Sequence, residues 1–260
     1  MPADSPATAS PAAADDDWPA PVEVLNEDGR SPFVLLCEHA SSHIPPRYNG
    51  LGLAGEDLVR HIAWDIGAAA VTRALVARLD APAFLGTASR LLLDLNRPLD
   101  SPTFIPTRSE ATDIPGNRDL DAAERQARID ALYTPFHARV AAHLDARATT
   151  GRPTRLVTIH SFTPVFHGAS RPWHAGVLFA GARDFATAIM DGLARDPALV
   201  IGENQPYGID RAEDYAIPVH GDDRGIPACL IEIRQDLLSE KDGIADWANR
   251  LATVLVSIST

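Results

Sequence analysis

The chain has 260 residues, 45% hydrophobic and 22% charged, which is enough apolar material for the core of one large domain. Its formal net charge of −12 argues against a nucleic-acid or anionic-membrane partner, because no basic surplus is available to neutralise phosphates. No apolar run reaches the ~18 residues of a membrane span. The two cysteines, Cys37 and Cys229, fall in apolar runs, which predicts buried thiols in a reducing, cytoplasmic compartment.

The N-terminal part of the chain predicts a tail followed by alternating strands and helices. Residues 1–20 are rich in Ala, Pro, Ser and Asp and predict a disordered tail, whereas residues 21–260 predict a single domain. Phe33–Cys37 predicts a first, buried strand. Apolar residues recur near helical spacing from Gly55 to Leu79 and predict a helix, and a short strand is expected at 83–85.

The rest of the chain continues this alternation. Ser89–Arg97 predicts a buried strand with polar ends, residues 98–117 a loop, Asp121–Ala148 a long helix, and Arg155–Ile159 a central strand. Further strands are expected at 177–179, 198–201 and 228–233, further helices at 185–193 and 245–258, and a loop at 204–221. This order predicts the α/β class, a three-layer α/β/α sandwich around a mixed, largely parallel sheet.

Three of the predicted strands run into polar side chains. Cys37 is followed by Glu38 and His39, Ile159 by His160 and Ser161, and Ile231 by Glu232. In an open α/β sheet, ligands bind outside the carboxyl ends of the strands. Two histidines and a carboxylate are a common ligand set of catalytic zinc, which keeps a fourth position for water. These strand ends therefore predict a metal-dependent hydrolase.

Each of these side chains also has an ordinary structural interpretation. His39 taken alone is a hydrogen-bonded loop histidine. His43, four residues later, would share a metal with it on a helix, but Ile44-Pro45-Pro46 argues against a helix here. Glu232 stands between two isoleucines, where it either pairs with an arginine such as Arg234 or acts as a general base toward water.

Asp65 is a carboxylate in a mostly apolar stretch. Burying an unpaired charge is costly, so Asp65 needs a partner, which is a metal ion, a helix cap or an arginine. His61 lies four residues earlier and would share a helical face with it. The sequence leaves these alternatives open.

Arginines on both sides of the Ser89–Arg97 segment are candidates for binding a substrate carboxylate. Arg90 and Arg97 offer planar forks that match a carboxylate, although arginines at strand ends are commonly solvated or paired. Asn96 would donate a hydrogen bond to a reacting carbonyl oxygen. His220 lies in a loop that either closes over substrate or is an ordinary flexible loop. No Gly-x-Ser-x-Gly motif is present, which disfavours a serine hydrolase.

Five segments in this order resemble the N-formylglutamate amidohydrolase family over roughly Pro32 to Ser257. They are Glu38-His39-Ala40-Ser41, His61-Ile62-Ala63-Trp64-Asp65-Ile66-Gly67, Ser89-Arg90-Leu91-Leu92-Leu93-Asp94-Leu95-Asn96-Arg97-Pro98, Ile159-His160-Ser161-Phe162-Thr163-Pro164 and Leu230-Ile231-Glu232-Ile233-Arg234-Gln235-Asp236. The resemblance implies a zinc-peptidase-like fold. It also implies hydrolysis of the N-acyl amide of an acidic amino acid, typically N-formyl-L-glutamate to formate and L-glutamate.

The resemblance also implies roles for residues. His39 and His160 correspond to metal ligands and Glu232 to the general base. Zinc carboxypeptidases place a glutamate ligand three residues after the first histidine, where this chain has Ser42. The third ligand must come from elsewhere, and we expect Asp65, with Glu38 or His43 as alternatives.

The substrate is expected to contact side chains around this metal. Arg90, Arg97, His220 and Ser161 are the expected substrate-binding residues, with Asn96 assisting catalysis. Zn²⁺ is the expected cofactor, although iron or cobalt suits the same ligands. Two other interpretations stay open: a deacylase or peptidase for another N-acyl amino acid, and a relative that binds an acidic metabolite without catalysis. The sequence does not determine the oligomeric state.

Overall fold

The computed structural model describes residues 18–259, so the predicted tail lies almost entirely outside the described residues. The strands are β1 (Val22–Leu25), β2 (Phe33–Cys37), β3 (Ala83–Gly86), β4 (Arg108–Ser109), β5 (Thr112–Asp113), β6 (Arg155–Phe162), β7 (Val165–Phe166), β8 (Ala169–Ser170), β9 (Ala175–Leu178), β10 (Ile201–Glu203) and β11 (Ala228–Arg234). The α-helices are α1 (Ala68–Leu79), α2 (Ala122–Arg128), α3 (Thr134–Thr149), α4 (Arg183–Leu193) and α5 (Lys241–Ser257). Within this range, no helix combines the length and apolarity needed to cross a bilayer.

Seven strands form one mixed sheet in the order β1-β3-β2-β6-β11-β9-β10. The central strands β3, β2, β6 and β11 are parallel. β1 runs antiparallel to β3 at one edge, and at the other edge β9 and β10 are parallel to each other, with β9 antiparallel to β11. β2 is buried along its whole length, as expected for a parallel strand covered on both faces. The predicted α/β sandwich with a mixed, largely parallel sheet is confirmed.

Alternate side chains of the central strands enter two separate hydrophobic layers. Phe33 and Leu35 of β2 point into one layer, which also contains apolar side chains of α1, α4 and α5. Val34 and Leu36 point into the other, which contains α3 and the segment around residues 88–104. The sheet is therefore sandwiched, and its carboxyl-end edge is left open for a site.

The predicted strand at Ser89–Arg97 is wrong, because this segment consists of turns. Its backbone groups are satisfied by side chains and by backbone groups of neighbouring loops instead of by a neighbouring strand. Asn117 Nδ2 donates to the Leu91 carbonyl at 2.7 Å, and Arg128 Nη1 donates to the Leu92 carbonyl at 2.9 Å. A run of buried leucines looks the same in the sequence whether its carbonyls accept hydrogen bonds from a neighbouring strand or from side chains.

The predicted helix from Gly55 to Leu79 is α-helical only in its last twelve residues, which form α1, and has a single 3-10 turn at Asp57–Val59 before it. Gly67 ends the preceding turn with a φ of 82°, a left-handed conformation that favours glycine. A Cβ at this position would lie 2.4 Å from Leu238 Cβ. The turn therefore leaves Asp65 just before α1 and not within a helix.

The other predicted elements are present with shifted bounds. The long helix is divided into α2 and α3 by a wider π-helical segment, Ile129–Tyr133, which ends just before Pro135, a residue without an N–H donor. The strand expected at 198–201 lies at 201–203, and the end of the loop expected at 204–221 is a π-helical turn, Ala216–Gly221. The central strand continues past Ile159 to Phe162.

We expect Asn117→Ala to destabilise the protein by about 3 kcal/mol, since it removes three buried hydrogen bonds. Asn117 donates to Leu91 and to Pro106, both at 2.7 Å, and accepts from the buried Arg128 at 2.8 Å. Urea unfolding followed by circular dichroism measures the free energy. Gln126→Ala, on the exposed side of α2, is the control and should change it by less than about 0.5 kcal/mol. A loss below about 1 kcal/mol for Asn117→Ala would contradict this account.

Candidate active site

His39, Asp65 and His160 form a buried group at the carboxyl ends of β2 and β6. Their potential ligand atoms all lie within 4.8 Å of one another, and none of the three residues is more than 3% exposed. His39 follows β2 by two residues, and its carbonyl accepts a 3.0 Å hydrogen bond from the Asp65 N–H, which fixes the turn before α1. His160 lies within β6. Three elements distant in sequence thus place two imidazoles and a carboxylate together.

The two imidazoles present the same ring nitrogen to Asp65. Asp65 Oδ2 lies 2.8 Å from His160 Nδ1 and 3.4 Å from His39 Nδ1. The opposite nitrogens contact other carboxylates: His160 Nε2 lies 2.9 Å from Glu38 Oε2, and His39 Nε2 lies 2.6 Å from Asp94 Oδ1. Metal-ligating histidines characteristically donate their other N–H to a carboxylate in this way. The donor set therefore fits Zn²⁺ or a similar transition metal.

Glu38 and Asp94 support the imidazoles and are themselves supported. Glu38 also accepts from Thr158 Oγ1 at 2.7 Å, and Asp94 receives two guanidinium N–H bonds from Arg90, at 2.6 and 3.0 Å. Burial would raise the pKa of Asp94, but the Arg90 charge holds it well below its ordinary value. Glu38, which the sequence offered as an alternative metal ligand, thus lies behind His160 and not beside the other ligand atoms.

The guanidinium of Arg90 is already paired with neighbouring carboxylates, which changes the role we expect for this residue. Besides Asp94, its guanidinium contacts Asp65 Oδ1 at 3.3 Å. Burial opposes the charged form, yet these two carboxylates raise the pKa of Arg90. Arg90 lines the cavity, but it is placed to orient the carboxylates around the imidazoles.

Glu232 lies on β11 directly opposite His160 on β6. Neighbouring strands are about 4.8 Å apart, so the two side chains lie side by side on one face of the sheet. Glu232 is 6% exposed, and its Oε2 has no hydrogen-bond partner among the described residues. Burial and the Asp65 charge raise the pKa of Glu232 to about 7, against the opposing effect of His160. Such a carboxyl group can take up and release a proton near neutral pH.

These side chains face a cavity of about 540 Å³, which also contains Asn96 and Arg97 in its wall. Asn96 Oδ1 accepts from the backbone N–H of Ala216 at 2.9 Å, and its amide nitrogen donates to Asp214 Oδ1 at 3.4 Å. Arg97 lies 3.2 Å from an Asp214 carboxylate oxygen and also donates to the Glu213 carbonyl. Both side chains predicted from the sequence therefore reach the cavity, with Arg97 already paired.

Ser161 lines the cavity, but its polar groups have structural partners. Its hydroxyl donates to the Ile66 carbonyl at 2.8 Å, and its N–H donates to Asp65 Oδ2 at 3.3 Å. Ser161 thus holds Asp65 in place, and its predicted contact with substrate stays a prediction. His43 is exposed and lies outside the His-Asp-His group, and His61 lies 3.5 Å from Glu110, not beside Asp65.

The expectation that His220 binds substrate is not supported, because its ring is buried away from the cavity. His220 Nε2 lies 3.0 Å from His137 Nδ1, and His137 Nε2 lies 2.9 Å from the Leu95 carbonyl. The carbonyl can only accept, so His137 carries its proton on Nε2 and His220 donates to Nδ1. Both rings are neutral in this arrangement.

The buried pair predicts that stability falls in mild acid. Burial lowers the pKa of His137 to about 3 and that of His220 to about 4, whereas in the unfolded chain both are near 6.5. Between these values only the unfolded chain binds the protons, so the free energy of unfolding falls as pH drops from 6.5 toward 4. From pH 7 to pH 5, each histidine should contribute a loss of about 2 kcal/mol.

Urea unfolding at both pH values, compared between wild type and His220→Gln, measures this loss. The variant should lose less stability than wild type over this interval, by the contribution of one histidine. An identical pH dependence in the two proteins would contradict the assignment.

Some residues of the site gave no usable signal in the sequence. Asp94 was only a polar residue inside a predicted strand, although its spacing of four from Arg90 is compatible with the ion pair that forms. Tyr207 and Arg108 also line the cavity. They lie in turns or short strands far along the chain from the metal-binding group, and no periodicity predicts where such residues go.

Fold and site together define an α/β protein with a candidate metallohydrolase centre at the carboxyl ends of its parallel strands. The profile of the family described as N-formylglutamate amidohydrolase matches residues 31–239. The chain belongs to the N-formylglutamate amidohydrolase family.

Two solved structures are similar over nearly the whole chain. Gene product Atu2144 from Agrobacterium tumefaciens is 40% identical, with a TM-score of 0.89 and coverage of 92% of this chain and 94% of that one. The N-formylglutamate amidohydrolase from Ralstonia eutropha JMP134 is 19% identical, with a TM-score of 0.67 and coverage of 92% and 97%. This second likeness shows the fold. A comparison with curated proteins found no match.

Proposed function

We propose that the protein is a metal-dependent amidohydrolase that converts N-formyl-L-glutamate and water to formate and L-glutamate. The observation that carries this proposal is the convergence of two histidine Nδ1 atoms on Asp65, with the unpaired Glu232 beside His160. Membership of the amidohydrolase family supports the reaction class.

The metal would be held by His39, Asp65 and His160. When bound, Zn²⁺ would polarise the acyl carbonyl and lower the pKa of a water molecule toward 7. Glu38 and Asp94 would keep the two imidazoles oriented with Nδ1 toward the metal. If His39 and His160 only formed ion pairs, nothing would require both rings to turn the same nitrogen, Nδ1, toward Asp65.

Glu232 would serve as general base and then as general acid. It takes a proton from the water whose oxygen forms a bond to the formyl carbon. The bond between that carbon and the amide nitrogen then breaks, and Glu232 delivers the proton to the leaving amine. Asn96 would donate its amide N–H to the carbonyl oxygen as negative charge develops there.

Arg97 would bind the α-carboxylate of the substrate. It follows Asn96 directly, so a carboxylate it holds lies near the amide that Asn96 contacts. Its present partner is Asp214, whose pKa is raised by burial. A raised pKa means that the charged form of this carboxylate is poorly stabilised in the site. Substrate would replace Asp214 at the guanidinium fork.

A small acidic N-acyl amino acid fits the size of the cavity. The two free cysteines support a proposal for the cell compartment. Cys37 and Cys229 are buried and unpaired. Two free thiols are usual in a reducing compartment, so we place the protein in the cytoplasm.

Steady-state assays of the purified enzyme test the proposal. Formate and amine release would be compared for N-formyl-L-glutamate, N-acetyl-L-aspartate and short peptides. We expect a kcat/KM at least about tenfold higher for the formyl substrate, a discrimination of about 1.4 kcal/mol. Activity should disappear with a chelator and return with Zn²⁺. No preference for N-formyl-L-glutamate would overturn the substrate, and full activity in the metal-free protein would overturn the metal.

A further inference from the structure

The cavity is acidic, and its arginines are mostly neutralised. Seven carboxylates line it: Asp65, Asp94, Glu110, Asp210, Glu213, Asp214 and Glu232. Three arginines line it too, and each pairs with a carboxylate: Arg90 with Asp94, Arg97 with Asp214 and Arg108 with Asp113. A substrate with two carboxylates needs a further cation in this wall.

Arg171 is a cation packed directly behind this wall, against three of its aromatic rings. Its guanidinium carbon lies 4.5 Å from the centre of the Phe166 ring, 4.7 Å from that of Tyr207 and 5.8 Å from that of Phe162. All three rings line the cavity. Arg171 is 8% exposed, and among residues 18–259 no carboxylate forms an ion pair with it. Arg171 directly follows the β7–β8 hairpin. Its backbone N–H donates to the Pro164 carbonyl, on the other side of the hairpin, at 2.9 Å.

One end of this guanidinium lacks a hydrogen-bond acceptor. Arg171 Nη1 is buried without a partner among the described residues. Beside it, the pKa of Tyr207 is raised chiefly by burial and by the Glu232 charge, an effect that Arg171 partly offsets. A buried cation with an unsatisfied N–H is costly, and an incoming carboxylate would satisfy both its charge and its donor.

We propose that Arg171 binds the side-chain carboxylate of the acidic N-acyl amino acid and thereby selects a dicarboxylic substrate. The inference rests on the proposed function, because it concerns the same cavity. The aromatic rings would hold the guanidinium in place by cation–π contact and leave its N–H edge for the carboxylate. Arg97 is left to the α-carboxylate.

The spacing within β6 agrees with this assignment. Phe162 lies two residues beyond His160 on the same face of the strand, a separation of roughly 7 Å. In N-formyl-L-glutamate five bonds separate the formyl carbon from the side-chain carboxyl carbon, which spans roughly 6 Å when extended. A substrate reacting beside His160 thus places its second carboxylate near these aromatic rings.

The test compares N-formyl-L-glutamate with N-formyl-L-glutamine, which has the same shape and a neutral side chain. Wild type should prefer the glutamate compound in kcat/KM by roughly 10–100-fold, the scale of a charge-assisted hydrogen bond. Arg171→Met should remove that preference, mainly by raising KM for the glutamate compound, and should change kcat/KM for the glutamine compound by less than about threefold. Arg118→Met removes an exposed arginine that pairs with Asp113 and does not line the cavity, and it should leave both values within about threefold.

Two results would overturn the proposal. One is a wild type that does not distinguish the two substrates, which needs no variant to interpret. The other is an Arg171→Met protein that loses activity on both equally, since a structural role would have that effect. Arg171→Lys guards against misfolding, because it keeps the charge and should retain part of the preference.

Failure of the proposed function would be seen separately, as a wild type that hydrolyses neither formyl substrate. Calorimetry with glutarate and butyrate then decides the role of Arg171. Tighter binding of glutarate by wild type, lost in Arg171→Met, supports it, and equal binding of the two acids by wild type overturns it.

Discussion

Glu232→Gln is expected to lower kcat for N-formyl-L-glutamate by at least about 10²-fold, the usual loss when a general base is removed. Glutamine has nearly the same shape but cannot accept the proton of the attacking water. Because Glu232 lies outside the His39-Asp65-His160 group, bound zinc should stay unchanged. Formate release measures turnover, and metal analysis of the purified variant measures zinc.

A matched variant separates this effect from a general loss of charge in the cavity. Glu110 also lines the cavity, where it pairs with Arg60 at 2.9 Å. Glu110→Gln should leave kcat within about threefold of wild type. If Glu232→Gln turns over substrate as fast as wild type, Glu232 has no part in proton transfer.

The second large effect is expected for Asp65→Asn, which should lose its metal. Asp65 Oδ2 is the atom on which His39 Nδ1 and His160 Nδ1 converge, and the amide removes its charge. Loss of an orienting partner typically weakens metal binding 10–100-fold, so loss of a ligand should weaken it by at least about 10²-fold. Zinc content after dialysis, and competition with a chromogenic chelator, measure the change.

Asp210→Asn provides the control for Asp65→Asn. Asp210 lines the same cavity, but its carboxylate accepts from the backbone N–H of Ala212 and is not part of the metal-binding group. This variant should keep wild-type zinc. An Asp65→Asn protein that retains zinc with wild-type affinity would remove Asp65 from the ligand set and return the question to Glu38.

The parallel strands and the residues at their ends could be predicted from the sequence because the signal is local. A buried run such as Leu156–Ile159 predicts a strand by composition, and His160 and Glu232 follow from where such runs end. The parallel register that sets these two residues opposite each other follows once both strands are in the sheet.

Other parts of the site depend on partners distant along the chain. Asp94 contacts His39 across 55 residues, and Glu38 contacts His160 across 122. The strand predicted at Ser89–Arg97 is wrong for the same reason, because two of its carbonyls accept from side chains 26 and 36 residues later. Local patterns carry no information on such pairings.

The turns between Ser89 and Arg97 have a consequence for how the protein would fail when heated. They carry Asp94, which orients His39, yet they belong to no strand and depend on the side chains of Asn117 and Arg128. Opening such a segment locally requires less free energy than opening the sheet, whose strands are hydrogen-bonded to one another. Opening it would release His39 while the sandwich persists. We therefore expect the site to lose its geometry at a lower temperature than the sheet melts, and we expect Asn117 and Arg128, which lie outside the cavity wall, to set that temperature.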